Sequence, residues 1–149
     1  MYTNDLDDIF DEYYERKKYE KEQSNAREKK EQDRIILIRK KLKENAIPVL
    51  NAILKEIQNK GHKVSMINNL DDSLNPQITI KFFPVFEGRE ENSNLIDSSL
   101  SFGDKIKKEI FLKDTYPIKE ISGVEIENLT KNMIKSKMLE FIKEVLQAI

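Results

Sequence analysis

Apolar residues recur every three or four positions near both ends of the chain and every second position in its middle. Near the start, helical spacing places five apolar side chains on one stripe: Leu6, Ile9, Phe10, Tyr13 and Tyr14. Asn4 is a favourable N-cap, and acidic residues follow it in the first turn, where carboxylates meet the positive end of the helix dipole. The pattern predicts a short amphipathic helix over residues 5–19.

The next segment, residues 20–34, reads EKEQSNAREKKEQDR and contains no apolar side chain larger than Ala26. A segment with nothing to bury is either a solvated helix or a flexible tether. We therefore divide the chain into a charged extension, residues 1–34, and a core domain, residues 35–149.

A second apolar stripe begins the core domain and keeps helical steps of three and four: Ile35, Ile38, Leu42, Ala46, Val49, Ile53 and Ile57. Pro48 lies inside this stripe, removes one backbone donor and crowds the preceding turn. We expect either a kinked helix or a break that restarts with Pro48 in its first turn. Gly61 is the expected C-terminal stop.

Beyond this stop the apolar period falls to two. Val64 and Met66 mark a first strand, and alternation around Ile80 marks a second, so the turn residues between them predict an antiparallel hairpin. Pro84 is expected to end the second strand or to mark it as a sheet edge. Residues 87–94 are predicted to form a polar loop.

Two further strands are expected on either side of a turn at residues 103–104. Their inward-facing residues are Leu100, Phe102, Ile106, Ile110 and Leu112. Residues 114–126 show no regular pattern, and a last helix is predicted from about Glu127. Its wide apolar face comprises Met133, Ile134, Met138, Phe141, Ile142, Val145, Leu146 and Ile149.

The predicted fold class is α+β. A kinked N-terminal helix and a C-terminal helix pack on one face of an antiparallel sheet of three to four strands, which makes a two-layer sandwich. This arrangement buries the single apolar face that each element carries.

Charged residues are distributed unevenly along the chain, although the net charge is close to zero. The chain has 26 basic and 27 acidic residues and a net charge of -1, yet residues 1–34 carry -3 and residues 35–63 carry +5. Residues 64–104 carry -5 and residues 105–149 carry +2. Alternating blocks of charge favour binding to a partner in one orientation, whereas a single net charge would attract any oppositely charged molecule.

The opening stripe predicts a docking helix, because an isolated helix of about 15 residues is only marginally stable in water. Its five apolar side chains would anchor in an apolar groove of another protein, while four acids meet a basic rim: Asp7, Asp8, Asp11 and Glu12. The predicted function is a non-catalytic adaptor, inhibitor or regulatory subunit, of a kind found in phage and defence systems. Two alternatives are that the stripe folds back on its own domain or pairs two copies into a homodimer.

Residues for most catalytic chemistries are missing from the sequence. There is no cysteine, and the single histidine, His62, directly follows the Gly61 helix stop, so a turn role is expected for it. We predict no catalytic residue, no cofactor and no metal site. The open alternative is a carboxylate-metal enzyme that uses Asp71, Asp97 and Asp104, although loop acids more often shape turns.

Nucleic-acid binding is the less favoured alternative. Its candidate residues are Arg39, Lys40, Lys41 and Lys43 with Lys131, Lys135 and Lys137 of the last helix. The order of helix, three strands and helix over residues 46–149 resembles double-stranded RNA-binding domains, which implies contacts to phosphates from the last-helix lysines. However, the first hairpin loop, NNLDDSLNP, is acidic and lacks the histidine of that family, and the pI near 6.0 favours a protein partner.

No apolar stretch approaches the roughly 20 residues that span a bilayer, and the acidic start has no pattern of a signal peptide. The sequence predicts a cytoplasmic protein without a membrane partner. Abundant Lys, Ile and Asn are typical of an AT-rich bacterial or phage genome.

Overall fold

The structure of the chain is a computed structural model that describes residues 2–86, 89–90 and 94–149. The backbone forms two compact units, Met1–Arg34 and Ile35–Ile149. The predicted α+β class is confirmed, and both helices that pack on the sheet belong to the second unit.

The first helix, α1, spans Tyr2–Lys41 and is much longer than predicted. It begins before Asn4, so that residue lies inside the helix instead of capping it. Residues 20–34 are helical and, except for Arg34, exposed, which is the solvated-helix alternative. Glu, Lys, Gln, Arg and Ala dominate this segment, and their high intrinsic helix propensity explains why the helix continues without an apolar face.

The predicted break at Pro48 is found, and it takes the form of a π-helical turn, Leu42–Ala46. Helix α2, Ile47–Asn59, follows and holds Pro48 in its first turn. Proline cannot donate a backbone hydrogen bond, and its ring crowds the preceding turn. The wider turn accommodates this, because the Ile47 N–H bonds to the Leu42 carbonyl five residues back.

Gly61 ends α2 as predicted. Its φ is 88°, in the left-handed region that glycine enters without a Cβ penalty. The Gly61 N–H donates to the Gln58 carbonyl at 2.9 Å and the His62 N–H donates to the Ile57 carbonyl at 3.2 Å. These two bonds form a Schellman motif.

The main sheet has five antiparallel strands, so the predicted three to four is too low. Its spatial order is β1 (Lys63–Asn69), β2 (Gln77–Phe83), β5 (Leu95–Phe102), β6 (Lys105–Leu112) and β7 (Ile118–Gly123). Strand β7 falls within the segment predicted to be irregular. Five of its six residues are exposed. Because neither face of the strand is buried, its sequence does not alternate between apolar and polar residues.

Both predicted hairpins are confirmed. Val64 pairs with Phe82 across β1 and β2, and β2 ends directly before Pro84. Strands β5 and β6 are joined by the predicted turn at residues 103–104. The predicted polar loop, residues 87–94, contains a short strand, β4 (Arg89–Glu90), which pairs with β3 (Val85–Phe86) directly before the loop. Residues 87–88 and 91–93 lie outside the described residues.

The last helix, α3, spans Lys131–Ala148 and begins later than predicted. A 3-10 turn, Ile126–Asn128, precedes it, and the Thr130 hydroxyl caps α3 by accepting from the Met133 N–H at 3.2 Å. Leu146 is exposed, so the apolar face is narrower than expected.

Helices α2 and α3 contact each other, and they contact β1 and β5 respectively. Side chains on the covered face of β2, β5 and β6 are buried, among them Ile80, Phe82, Phe102 and Ile110. The alternate residues of these strands are polar or half-buried, which gives the two-layer arrangement. Among the described helices, none combines the length and apolarity that crossing a membrane requires.

We expect Gly61→Ala to lower the free energy of unfolding by about 1–2 kcal/mol, because alanine at positive φ is strained. A Cβ at this site meets no atom within 4 Å, so the loss would report backbone strain alone. Gly123→Ala is the matched control, since its Cβ is equally unobstructed and its φ is outside the left-handed region. Equal effects of the two substitutions in denaturant titrations would contradict this explanation.

Candidate functional site

The predicted apolar stripe lies on one face of α1 and is exposed. The exposed fractions are 53% for Leu6, 61% for Ile9, 48% for Phe10, 45% for Tyr13 and 62% for Tyr14. The Phe10 and Tyr14 rings stack with centroids 6.2 Å apart, and the Tyr13 and Tyr14 rings meet edge to face at 5.6 Å. The three rings therefore form a contiguous aromatic surface, and Leu6 and Ile9 lie on the same face of the helix. We call these five side chains the apolar stripe.

Six carboxylates and no base accompany the apolar stripe between residues 5 and 15. At about 100° per residue, Asp7 and Asp11 flank the Tyr14 side of the stripe, and Glu12 flanks its other side. Asp8, also predicted as part of the rim, lies on the opposite face. Within the described part of the chain, no ion pair engages any of these carboxylates.

The apolar stripe ends where basic residues begin. The Arg16 guanidinium and the Lys17 ammonium lie 5.7 Å and 5.8 Å from the Tyr13 ring centroid. Tyr19 is 62% exposed, but its helical position is on the side of α1 opposite the stripe. The stripe is thus a bounded surface of about three helical turns.

The candidate nucleic-acid residues on the first helical segment do not form a uniform cationic patch. Arg39 donates from Nε to the Leu70 carbonyl at 2.6 Å and from Nη2 to the Asp72 carbonyl at 3.0 Å, so it holds the loop between β1 and β2. Lys40 and Lys43 are exposed, and Lys41 is half-buried.

The lysines of the last helix are also mixed in environment. Lys131 and Lys135 are exposed on α3, whereas Lys137 lies 3.8 Å from a Glu140 carboxylate oxygen. The five-stranded sheet also departs from the three-strand order that resembled double-stranded RNA-binding domains.

The candidate carboxylates lie in separate places. Asp97 is on β5 instead of in a loop and pairs with Lys81 at 3.3 Å. Asp71 is exposed in the loop after β1, and Asp104 lies in the turn between β5 and β6. Asp72 Oδ1 accepts from the backbone N–H groups of Asn75 and Leu74, and these bonds lower the pKa of Asp72. Among the described residues, no three potential ligands are grouped to hold a metal.

His62 occupies the predicted turn. Its Nδ1 accepts from the Val85 N–H at 2.9 Å, and its ring meets Phe82 edge to face at 5.9 Å. These contacts connect the end of α2 to the segment that follows β2.

Sequence reasoning missed an ion cluster that is centred on a buried lysine. Lys108 lies on the covered face of β6 with only 9% of its side chain exposed, and its Nζ contacts Glu120 at 2.8 Å and Glu144 at 2.5 Å. The period-two pattern did contain the signal, because Lys108 alternates in step with Ile106 and Ile110.

The ion cluster joins three elements at the margin of the core. Glu120 belongs to β7 and Glu144 to α3, so Lys108 links both to β6. A cleft beside the cluster is lined by apolar Leu100 and Phe141 and by polar residues that include Ser122 and Lys137. The two carboxylates share the Lys108 ammonium as their counter-ion, so this one side chain ties β7 and α3 to β6.

Comparison of the chain with protein-family models, with curated proteins and with solved structures finds no match in any of the three.

We expect Lys108→Met to lower the free energy of unfolding by about 1–3 kcal/mol, because Glu144 would keep its partly buried position without a counter-ion. Lys107→Met is the matched control, since Lys107 is exposed on the neighbouring position of the same strand, and its effect should stay within about 0.5 kcal/mol. Equal losses in denaturant unfolding would argue against a stabilising cluster.

The ion cluster also predicts a pH dependence. The hydrogen bond and charge of Lys108 hold the pKa of Glu120 below its ordinary value of 4.5. Burial lowers the pKa of Lys108, but hydrogen bonds to Glu120 and Glu144 outweigh it and raise the pKa above the ordinary 10.5. The cluster therefore stabilises the folded state fully between pH 4.5 and 10.5. In acid the stabilisation is lost as the pH falls through the lowered Glu120 pKa. In alkali it is lost as the pH rises through the raised Lys108 pKa.

The difference in unfolding free energy between the wild-type chain and Lys108→Met should consequently be largest near neutral pH and shrink in acid. Chemical denaturation of both proteins at neutral pH and at about pH 3 measures it. A difference that stays constant over this range would contradict the ionic origin of the stabilisation.

Proposed function

We propose that the chain is a non-catalytic protein-binding module that docks its apolar stripe into an apolar groove, flanked by basic residues, on another protein. The observation that carries the proposal is the exposure of five large apolar side chains on one face of α1. Such contiguous exposed apolar surfaces are typical of interaction sites. The module would act stoichiometrically, in the cytoplasm, as an adaptor, inhibitor or regulatory subunit.

Aromatic residues would supply most of the binding energy. Phe and Tyr bury about 150–250 Å² each, and the two χ angles of each ring cost little entropy when fixed. Phe10, Tyr13 and Tyr14 already contact one another, so their rings are partly ordered before a partner arrives. Leu6 and Ile9 extend the surface to a length suited to helix-in-groove recognition.

Charge favours a basic protein over a second copy of the chain as the occupant. Pairing two apolar stripes would bring together two segments that each hold six acids and no base. Like charges at an interface are unfavourable, whereas a basic rim would pair with Asp7, Asp11 and Glu12 on both flanks. Association with such a partner should be fast at low salt and slow as salt rises.

The double substitution Phe10→Ala with Tyr13→Ala should abolish partner capture. Truncating one hot-spot side chain costs about 2 kcal/mol or more, and 1.4 kcal/mol is tenfold in affinity, so the pair should weaken binding by at least about 100-fold. The measurement is quantitative mass spectrometry of proteins captured from a lysate of the source cells on the immobilised full chain.

The matched control is Tyr19→Ala, which removes a ring that is more exposed than Phe10 or Tyr13 from the opposite side of α1. The proposal predicts that one protein is captured at near-stoichiometric amount by the wild type and by the control. The double variant should not capture this protein, and added salt should release it from the wild type. Capture of the same proteins by all three chains would refute the docking role.

The double variant should also keep the thermal stability of the wild type, because substitutions of exposed residues usually change stability by less than about 0.5 kcal/mol. A fall of several degrees in melting temperature would instead show that the apolar stripe packs within the folded protein.

A further inference from the structure

The sheet face opposite α2 and α3 is basic. We call it the open face, and it consists of the alternate residues of the five strands that do not point into the core. Its charged residues are Lys63, Lys81, Asp97, Lys105, Lys107, Glu109 and Lys119. These five lysines and two carboxylates give the open face a charge of +3, although the whole chain carries -1.

The positive charge is concentrated on the side of β6 and β7. Lys81 is neutralised by Asp97 at 3.3 Å, whereas Lys105, Lys107 and Lys119 are exposed. Glu109 is on the same side of the open face, in register with Lys119, and reduces the local charge to +2. In the part of the chain that the structure describes, no ion pair engages these three lysines. They are therefore available to an external anion.

An aromatic ring lies beside Lys119, at the other end of β6 from Lys105. Phe111 is a half-buried residue of β6 on the open face, and Lys119 Nζ is 5.1 Å from its ring centroid. The ammonium therefore covers this π face in the free protein, and a base could stack there only when Lys119 leaves the ring to bind a phosphate. A second half-buried ring, Phe83, lies on β2 at the same end of the sheet.

The middle of the open face is hydrophilic. Thr79 and Ser101 share a hydrogen bond of 2.8 Å. Ser99, the next outward residue of β5, lies between Lys81 on β2 and Glu109 on β6. The large exposed apolar residues of this face, Ile67 and Ile121, are confined to the two outer strands. This surface lacks the central apolar anchors of a protein interface.

We propose that the open face binds single-stranded nucleic acid. Lys105, Lys107 and Lys119 would contact successive phosphates while an unpaired base stacks on Phe111. Lysines that follow the backbone, beside aromatic rings on an exposed sheet, are the features by which proteins bind unpaired nucleotides. A duplex is disfavoured, because its bases are stacked on one another and cannot stack on Phe111.

This site is separate from the apolar stripe of α1 and from the helix lysines considered above. It would give the module two binding surfaces, one for a protein and one for a nucleic-acid strand. Loss of either activity would leave the other to be measured by itself.

Fluorescence anisotropy of labelled oligo(dT) and oligo(rU) of about 12 nucleotides, titrated with the full chain at about 50 mM salt, tests the proposal. The triple variant Lys105→Gln, Lys107→Gln and Lys119→Gln should weaken binding at least tenfold. The matched control, Lys40→Gln, Lys131→Gln and Lys135→Gln, removes the same charge from exposed helix positions and should change affinity less than twofold.

The salt dependence provides a second measure. Each contacted phosphate of a single strand contributes about -0.7 to the slope of log affinity against log salt, so three lysines should contribute roughly -2. The triple variant should lose that part of the slope, and the control should keep it.

Stacking is tested with Phe111→Leu, which preserves an apolar side chain. It should weaken oligonucleotide binding at least fivefold while leaving the salt slope unchanged, and its melting temperature should show that it remains folded. The absence of oligonucleotide binding by the wild type at low salt would overturn the proposal. Equal losses in both lysine variants, stronger binding to duplex than to single strands, or equal competition by polyglutamate would also overturn it.

Discussion

The helix layer of the core domain covers only one face of the sheet, and the rest of the structure depends on this constraint. Leu50 of α2 and Phe141 of α3 are fully buried against the central strands, but the two helices leave β7 uncovered. At the margin of this layer the apolar core gives way to Lys108 and its two glutamates. The other side of the sheet is consequently polar and carries more lysines than carboxylates.

The sequence was sufficient to predict those elements that bury one face. Alternation identified β1, β2, β5 and β6, and Pro48 and Gly61 identified the interruption and the end of the helical segment before the sheet. The same logic fails where burial is absent, because neither β7 nor residues 20–34 have a core to impose a period. Their structures come from pairing to a neighbouring strand and from helix propensity.

The candidate site divides in the same way. The apolar stripe of α1 was predictable because an amphipathic period is visible whether or not its apolar face is covered. Its exposure was not predictable, because the same five residues would show the same helical spacing if they were packed in a core. Lys108 shows the converse, because a lysine in a strand is usually assigned to the solvent side unless its partners are known. Its glutamates, Glu120 and Glu144, lie on elements distant in sequence.

The central claim is that one face of α1 binds a partner protein and the opposite face does not. Site-specific photo-cross-linking in the source cells tests it most directly, with a photoreactive amino acid placed at Tyr14 in one protein and at Tyr19 in another. Both positions are 62% exposed, so they differ in the face and not in accessibility. We expect one cross-linked protein from Tyr14 and none from Tyr19; identical cross-links from both positions, or none from Tyr14, would contradict the claim.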